Sequence, residues 1–436
     1  AAMGAYFPYR NLFLEDVGLT PVQIGILSAL PPLPALAVPV LAGLLVDRSG
    51  PSSPLAARLL VAQTVLFAPI LVTEGLPQPW RFPYLVLVVL ATACAASPVI
   101  PLVDARTLAY AARHGADYGR IRTWGSLGFL LAAVGVGWAA QRLGARVALV
   151  GHLLGLAVAC GLIRATVRAP EAPATPAAPA DAPPAGPATW RQIRLALGNP
   201  RLRWFFPAVL LGSLASSLYY GFFSLYARSL GLPEGLIGVG WAVGVACEIV
   251  VMSASRRLLA RLRPEGLVAL GLAGGVARWT LYATLRDPAW IPLIEALHGL
   301  TFGATHVGAV TFLSRHVPPR WQATGQAGLS SLQMGLGGIV GSVMGGFLYQ
   351  AGGGRLLFAT AAALAAAGLL VLARLLVSGA SGAPLPACGP RRPPPAPPGP
   401  GAGTGPYTTA EPGPPPRGSP WPPPSRPRRP LRAPGR

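Results

Sequence analysis

The sequence has 436 residues, of which 52% are hydrophobic and 11% charged. A soluble domain carries about a quarter charged residues, so this composition excludes an ordinary soluble globule and predicts a polytopic membrane protein. The net charge of +21 sits on arginines between apolar runs and in the C-terminal stretch, not on an amphipathic soluble face, so nucleic acid is not an expected partner.

A transmembrane helix takes about 20 apolar residues. The first segment, residues 1–14, is shorter than that, contains Pro8 and Arg10, and reads as the second half of a truncated first helix. The second segment, about 22–46, carries Pro31, Pro32, Pro34 and Pro39, which predict kinks. Further segments are expected at about 56–75, 82–105, 121–141, 145–165, 203–226, 235–255, 265–285, 289–313, 325–350 and 355–377. No basic region leads into a cleavable apolar core, so no signal peptide is expected.

The run of Ala and Pro over 169–188 cannot bury a core and reads as a linker. It divides the chain into two halves that resemble each other. Gly18-Leu19-Thr20-Pro21-Val22-Gln23-Ile24-Gly25 matches Gly231-Leu232-Pro233-Glu234-Gly235-Leu236-Ile237-Gly238 at both glycines, the leucine and the isoleucine, each copy joining the first and second segments of its half. Such a repeat predicts an all-α membrane fold of about twelve helices in two pseudo-symmetric six-helix bundles. The bundles would be 1–168 and 201–377, with 169–200 between them. Residues 378–436 are Pro-, Gly- and Arg-rich and read as a disordered tail. The tail fits a basic lipid-facing extension or an out-of-frame product of GC-rich DNA, and no function is assigned to it. The side bearing Arg48, Arg58, Arg106, Arg113, Arg191, Arg194, Arg256 and Arg257 is expected to be cytoplasmic, together with the linker and the C-terminus.

Two charged groups fall at the edges of apolar segments in the first half. Asp104 follows Pro101-Leu102-Val103, and Arg122 opens the run Ile121-Arg122-Thr123-Trp124-Gly125-Ser126-Leu127-Gly128-Phe129. Gly125, Ser126 and Gly128 allow another helix backbone to come close. An arginine there is costly unless paired or facing water, so Asp104 and Arg122 read as a pair across a wet cavity or as the anchor of a cytoplasmic loop. In the second half Glu248, Arg278, Glu295, His298 and His306 stand in apolar surroundings. Glu295 and His298, three apart, share a helix face. Buried ionisable groups in membrane helices default to functional hypotheses. Glu248 and Arg278 fit either a structural ion pair or a proton-coupling device, in which a glutamate changes proton affinity as it approaches or leaves the guanidinium. His306 fits a backbone-satisfied histidine equally well. Cys94, Cys160, Cys247 and Cys388 lie far apart, without metal-ligand spacing. No metal or cofactor is expected, and no nucleophile–base arrangement or phosphate loop supports an enzyme.

Gly43-Leu44-Leu45-Val46-Asp47-Arg48-Ser49-Gly50 resembles the loop motif of the major facilitator superfamily, lacking its downstream basic pair; Gly43, Asp47, Arg48 and Gly50 are the matching residues. The Asp104/Arg122 spacing, with Glu248, Arg278 and His298, is similar to the lactose-permease branch of proton symporters. The run Glu295-Ala296-Leu297-His298-Gly299-Leu300-Thr301-Phe302-Gly303 resembles its phenylpropionate-type members. The resemblance covers 1–377. It implies Asp104, Arg122, Ser126 and Phe129 as substrate-binding residues, and Glu248, Arg278, Glu295, His298 and His306 as the coupling set. Where the branch has its proton-carrying glutamate this chain has Thr301. Tyr220 and Phe223 replace two acids, and Phe129 replaces a sugar-stacking tryptophan, which argues against a disaccharide. The fifth segment lacks the proline of drug antiporters. The expected function is proton-coupled symport of a small solute (sugar, nucleoside or aromatic acid) by a monomer in a lipid bilayer, the bacterial inner membrane. The alternatives are facilitated diffusion, efflux, or a degenerate, non-transporting membrane protein.

Overall fold

The computed structural model describes residues 1–39, 41–42, 52–167, 200–317 and 321–379. The loop motif at Gly43, Asp47, Arg48 and Gly50, nearly all of the linker and the tail beyond Gly379 lie outside the described residues. The described residues all belong to one compact unit, 1–382, and are helical wherever they are regular. In hydrocarbon every backbone N–H and C=O must be satisfied within the segment, which a helix does and an open strand does not.

The helices follow the hydropathic segments closely. Ala2–Tyr6 and Arg10–Asp16 form the first. Pro21–Ala29 and Pro32–Ala35 open the second, broken where the proline run begins. Ser52–Phe67 continues into a 3-10 stretch, Ala68–Gly75. The fourth is longer than its apolar run, because Gln78–Ala96 is followed directly by Val99–His114. Tyr118–Leu143, Arg146–Val167, Pro200–Ser229, Glu234–Ser253 and Pro264–Thr284 are the fifth to ninth. Eight described stretches are long and apolar enough to cross a membrane. The last of these, Thr324–Leu375, bends at Gly352 and Gly353 and so supplies the eleventh and twelfth. The tenth and eleventh are not regular α-helix. The tenth runs Ile291–Glu295, then a π-helix Gly299–Ala304, then Thr305–His316. The eleventh holds a second π-helix, Ser331–Gly337.

The repeated octapeptide adopts one structure twice. Gly18 (φ 80°) and Gly231 (φ 84°) are both left-handed, a conformation that costs glycine nothing. Leu19 and Leu232 are buried after them. Thr20 and Pro233 are extended residues just ahead of the next helix. Thr20 caps its helix with a capping box, in which Gln23 N donates to Thr20 Oγ1 and Thr20 N donates to Gln23 Oε1. The final glycine of each copy then packs against the opposite half. A Cβ on Gly25 would lie 2.6 Å from the Ser342 carbonyl oxygen, and one on Gly238 would lie 2.5 Å from that of Ala133. The partner helices answer in kind. A Cβ on Gly346 would lie 2.7 Å from the Pro21 carbonyl oxygen, and one on Gly137 would lie 2.7 Å from that of Glu234. Small residues are what let membrane helices approach so closely. Second packs on eleventh and eighth on fifth through the same chemistry, so both seams meet near the ends marked by Gly18 and Gly231.

Candidate functional site

The first-half pair is formed. Asp104 lies on Val99–His114 and Arg122 on the fifth helix. Arg122 Nη1 donates to Asp104 Oδ1 at 3.0 Å and Oδ2 at 3.1 Å. The side chains are 58% and 32% exposed, so the pair is accessible and carries no net charge. Ser126 and Phe129 are half-buried one and two turns further on. The backbone of Phe129 lies against Gly4, so this residue packs the first and fifth helices together.

The second-half residues form a denser constellation than their spacing implies. Arg278 and Glu295 are 1% and 0% exposed and joined at 2.7 Å. The expected partner of Arg278, Glu248, is not the one it takes. Glu295 instead accepts from Arg278 Nη2, from Tyr219 Oη at 2.9 Å and from Tyr282 Oη at 2.5 Å. The guanidinium also lies over the Tyr219 ring, 4.0 Å from its centroid. Its Nη1 reaches His298 Nδ1 at 3.0 Å and Thr301 Oγ1 at 3.1 Å. A guanidinium has no lone pair to offer, so His298 Nδ1 accepts and the ring proton sits on Nε2. That nitrogen faces Glu248 Oε2 at 3.7 Å, beyond hydrogen-bonding range. Glu248 thus stands outside the Arg278–Glu295 pair, 21% exposed and connected to it only through His298. Thr301 serves as a hydrogen-bond partner of Arg278.

His306 lies apart from this cluster. It is exposed and stacked on Phe302, which is stacked in turn on His298 (centroids 5.6 and 5.9 Å apart, interplanar angles 4° and 7°). The π-helix carries Phe302 in this column and places His306 on a cavity of about 80 Å³ shared by the seventh, ninth, tenth and eleventh helices. Ser213, Ser216, Ser217, Tyr220, Trp279, Thr305 and Gln333 also line it. Of these, sequence reasoning singled out only Tyr220 and missed the rest, although three serines at i, i+3 and i+4 on an otherwise apolar helix are a legible polar stripe. It also missed Tyr219 and Tyr282, whose hydroxyls complete the shell of Glu295.

Near the paired glycine seams, Arg228 at the end of the seventh helix joins the two halves. Its Nη1 lies 2.6 Å from Asp16 Oδ1 and 3.3 Å from Glu15 Oε2, and its Nε lies 3.2 Å from Glu234 Oε1. Partial burial holds the Glu15 carboxyl above its ordinary value despite the pull of Arg228. Asn11 Nδ2 donates to the Gly221 carbonyl at 2.5 Å and Tyr9 Oη to that of Ala133 at 2.5 Å, closing the same region from the first helix.

Membrane-length apolar helices, a buried ion pair and a cavity with polar side chains in its wall are the features of a multi-pass membrane transporter. Residues 1–360 match the model of the MFS_1 like family, and the chain belongs to that family, whose members are transporters and not enzymes. It is 29% identical over 352 residues to a protein named probable 3-phenylpropionic acid transporter of Escherichia coli (strain K12), covering 80% of this chain and 87% of that one. It is 31% identical over 381 residues to a maltose permease of Geobacillus stearothermophilus, covering 86% and 91%. Its structure resembles that of the nucleoside transporter NupG, with a TM-score of 0.68 at 17% identity over 86% and 95% of the two chains. It also resembles a bacterial homologue of the iron transporter ferroportin in an inward-facing state, with a TM-score of 0.62 at 14% identity over 86% and 95%. The fold is therefore that of the major facilitator transporters.

Proposed function

We propose that the chain is a proton-coupled symporter of a small organic solute, with bundles 1–168 and 201–377 rocking about a central site. Relatives named for a sugar, an aromatic acid and a nucleoside support the solute class. Arginine asymmetry supports a cytoplasmic linker and C-terminus, and the bacterial relatives support the bacterial inner membrane as the location. On that orientation the glycine seams and the Arg228 cluster close the extracellular end. Asp104 and Arg122 hold polar groups of the solute, with Ser126 and Phe129 beside them. The protein works as a monomer.

The observation that carries the coupling is the isolation of Glu248. Glu295 is committed to Arg278 and two tyrosines with essentially no exposure, so it belongs to the scaffold of the site. Glu248 is reachable, has no arginine beside it among the described residues, and faces a histidine N–H whose other nitrogen is held by Arg278. A carboxylate in that position takes up a proton when drawn into apolar surroundings and releases it toward water or a cation. His298 transmits the change to the ion pair. Glu248→Gln should abolish solute accumulation driven by a pH gradient in proteoliposomes and leave solute exchange intact, because exchange moves no net proton. Accumulation equal to that of the unmodified protein would remove Glu248 as the carrier and leave facilitated diffusion.

A further inference from the structure

The cavity between the seventh, ninth, tenth and eleventh helices has a lining whose hydrogen-bonding polarity can be read. Ser213, Ser216 and Ser217 each donate their proton to a carbonyl of their own helix: Val209 at 2.8 Å, Gly212 at 2.9 Å and Ser213 at 2.9 Å. A hydroxyl that has spent its proton offers only lone pairs to a ligand. One wall therefore presents acceptors. The remaining polar lining is neutral: the Tyr220 and Thr305 hydroxyls, the Gln333 amide and the His306 ring. Trp279 also lines the cavity and is 2% exposed; its indole N–H is fully buried, so a solute would meet its ring and not that donor. Flat faces are supplied by Trp279 and Phe302. No arginine, aspartate or glutamate stands among the described residues that line the cavity. Arg278 touches it only through Thr301, whose hydroxyl accepts from Arg278 Nη1.

We propose that this cavity is a solute subsite for a neutral ring bearing several hydroxyl groups, a sugar ring either free or as the ribose of a nucleoside. The proposal rests on the transporter reading above and narrows its substrate class. Such a ring supplies O–H donors to the three serine oxygens and an apolar C–H face to the aromatic rings. A carboxylate brings acceptors only and would meet the serine lone pairs with no cation to offset them. The Arg122–Asp104 pair does not change this balance, being internally neutralised. With water occupying about 30 Å³ in the liquid, a space of about 80 Å³ admits the hydroxylated edge of one ring and leaves the rest of a larger solute outside. Occupancy is felt at the coupling cluster through Thr301.

The test uses the full chain in proteoliposomes with radiolabelled glucose, uridine and 3-phenylpropionate as probes, comparing the unmodified protein with Ser216→Ala and Gln333→Leu. Each substitution deletes one neutral hydrogen bond, and each should weaken the neutral probe by about 2- to 12-fold in Kd. Two independent variants keep the test open should one fail to fold. Binding of glucose alone identifies a free sugar, and binding of uridine alone identifies a nucleoside; either, when weakened by the variants, supports the subsite. Uptake of 3-phenylpropionate alone, or of a neutral probe whose affinity neither variant changes, would overturn the subsite and leave the transporter standing. Uptake of none of the three would count against the transporter and take the subsite with it.

Discussion

Replacing Gly25 by alanine tests whether the glycine seams hold the closed end shut. The added Cβ would lie 2.6 Å from the Ser342 carbonyl oxygen and 3.0 Å from the Gly346 Cα. Both are backbone atoms, so the second and eleventh helices must separate by several tenths of an ångström. Overpacking of this kind costs about 1–3 kcal/mol, which at 1.4 kcal/mol per tenfold moves the closed-to-open ratio by roughly 5- to 150-fold. Alanine also favours the helix over glycine by up to about 1 kcal/mol, but that gain is common to both conformations and cancels from their ratio. Spin labels on cysteines replacing Trp80 and Arg286, both exposed and one from each half, should report a longer distance in Gly25→Ala. The pseudo-symmetric Gly238→Ala should do the same. Gly125→Ala serves as the control, because nothing lies within 4 Å of its Cβ. A distance distribution that Gly25→Ala and Gly238→Ala leave unchanged would refute the reasoning.

The other expectations are smaller or more local. Arg228→Gln leaves Glu15, Asp16 and Glu234 facing one another, and should open the same end; with Glu15 and Asp16 44% and 42% exposed, each lost pair contributes only about 0.2–1 kcal/mol. The same spin-label distance, read in low and high salt, checks this, since the effect should shrink with screening. Glu295→Gln strands Arg278 at 1% exposure, a loss of about 3–5 kcal/mol that thermal unfolding in detergent should register, whereas Glu248→Gln should unfold near the unmodified protein. Arg122→Lys should weaken solute binding, since an ammonium lacks the planar donor fork; binding unchanged in that variant would remove Arg122 from the site. If Asp104→Asn binds an anionic solute at least as well, Asp104 orients Arg122 and does not contact the solute.

Much of the fold was readable because the bilayer enforces it. Apolar length fixed the passes from Tyr118 to Thr284 to within about three residues, and the twin octapeptides at Gly18 and Gly231 mark the same turn in each half. The site was readable only in its membership. Glu248, Arg278, Glu295 and His298 do converge, yet the partner of Arg278 follows from the break after Glu295 and the π-helix beyond it, which a 3.6-residue period does not disclose. Tyrosines carry no formal charge, so Tyr219 and Tyr282 drew no notice in an apolar run although they hold the most buried carboxylate. The serine stripe was visible in principle, but its meaning depends on which way its protons point, and that is a property of the folded helix.

The two π-helices carry a consequence for how this chain aligns with others. Each α-helical residue turns the helix by about 100°, and a π turn accommodates one residue more than an α turn. A homologue missing one residue within 299–304 would close the π turn to an α turn and keep Glu295, His298 and everything from Thr305 onward on the faces they occupy here. A one-residue gap within 331–337 would likewise leave Gly341 and Gly346 against the faces they now meet. A homologue of equal length that formed regular α-helix at either place would instead turn everything beyond it by about 100°, carrying the counterpart of His306 off the cavity wall. The gap preserves the set of side chains a solute encounters, and its absence without a π turn re-indexes that set.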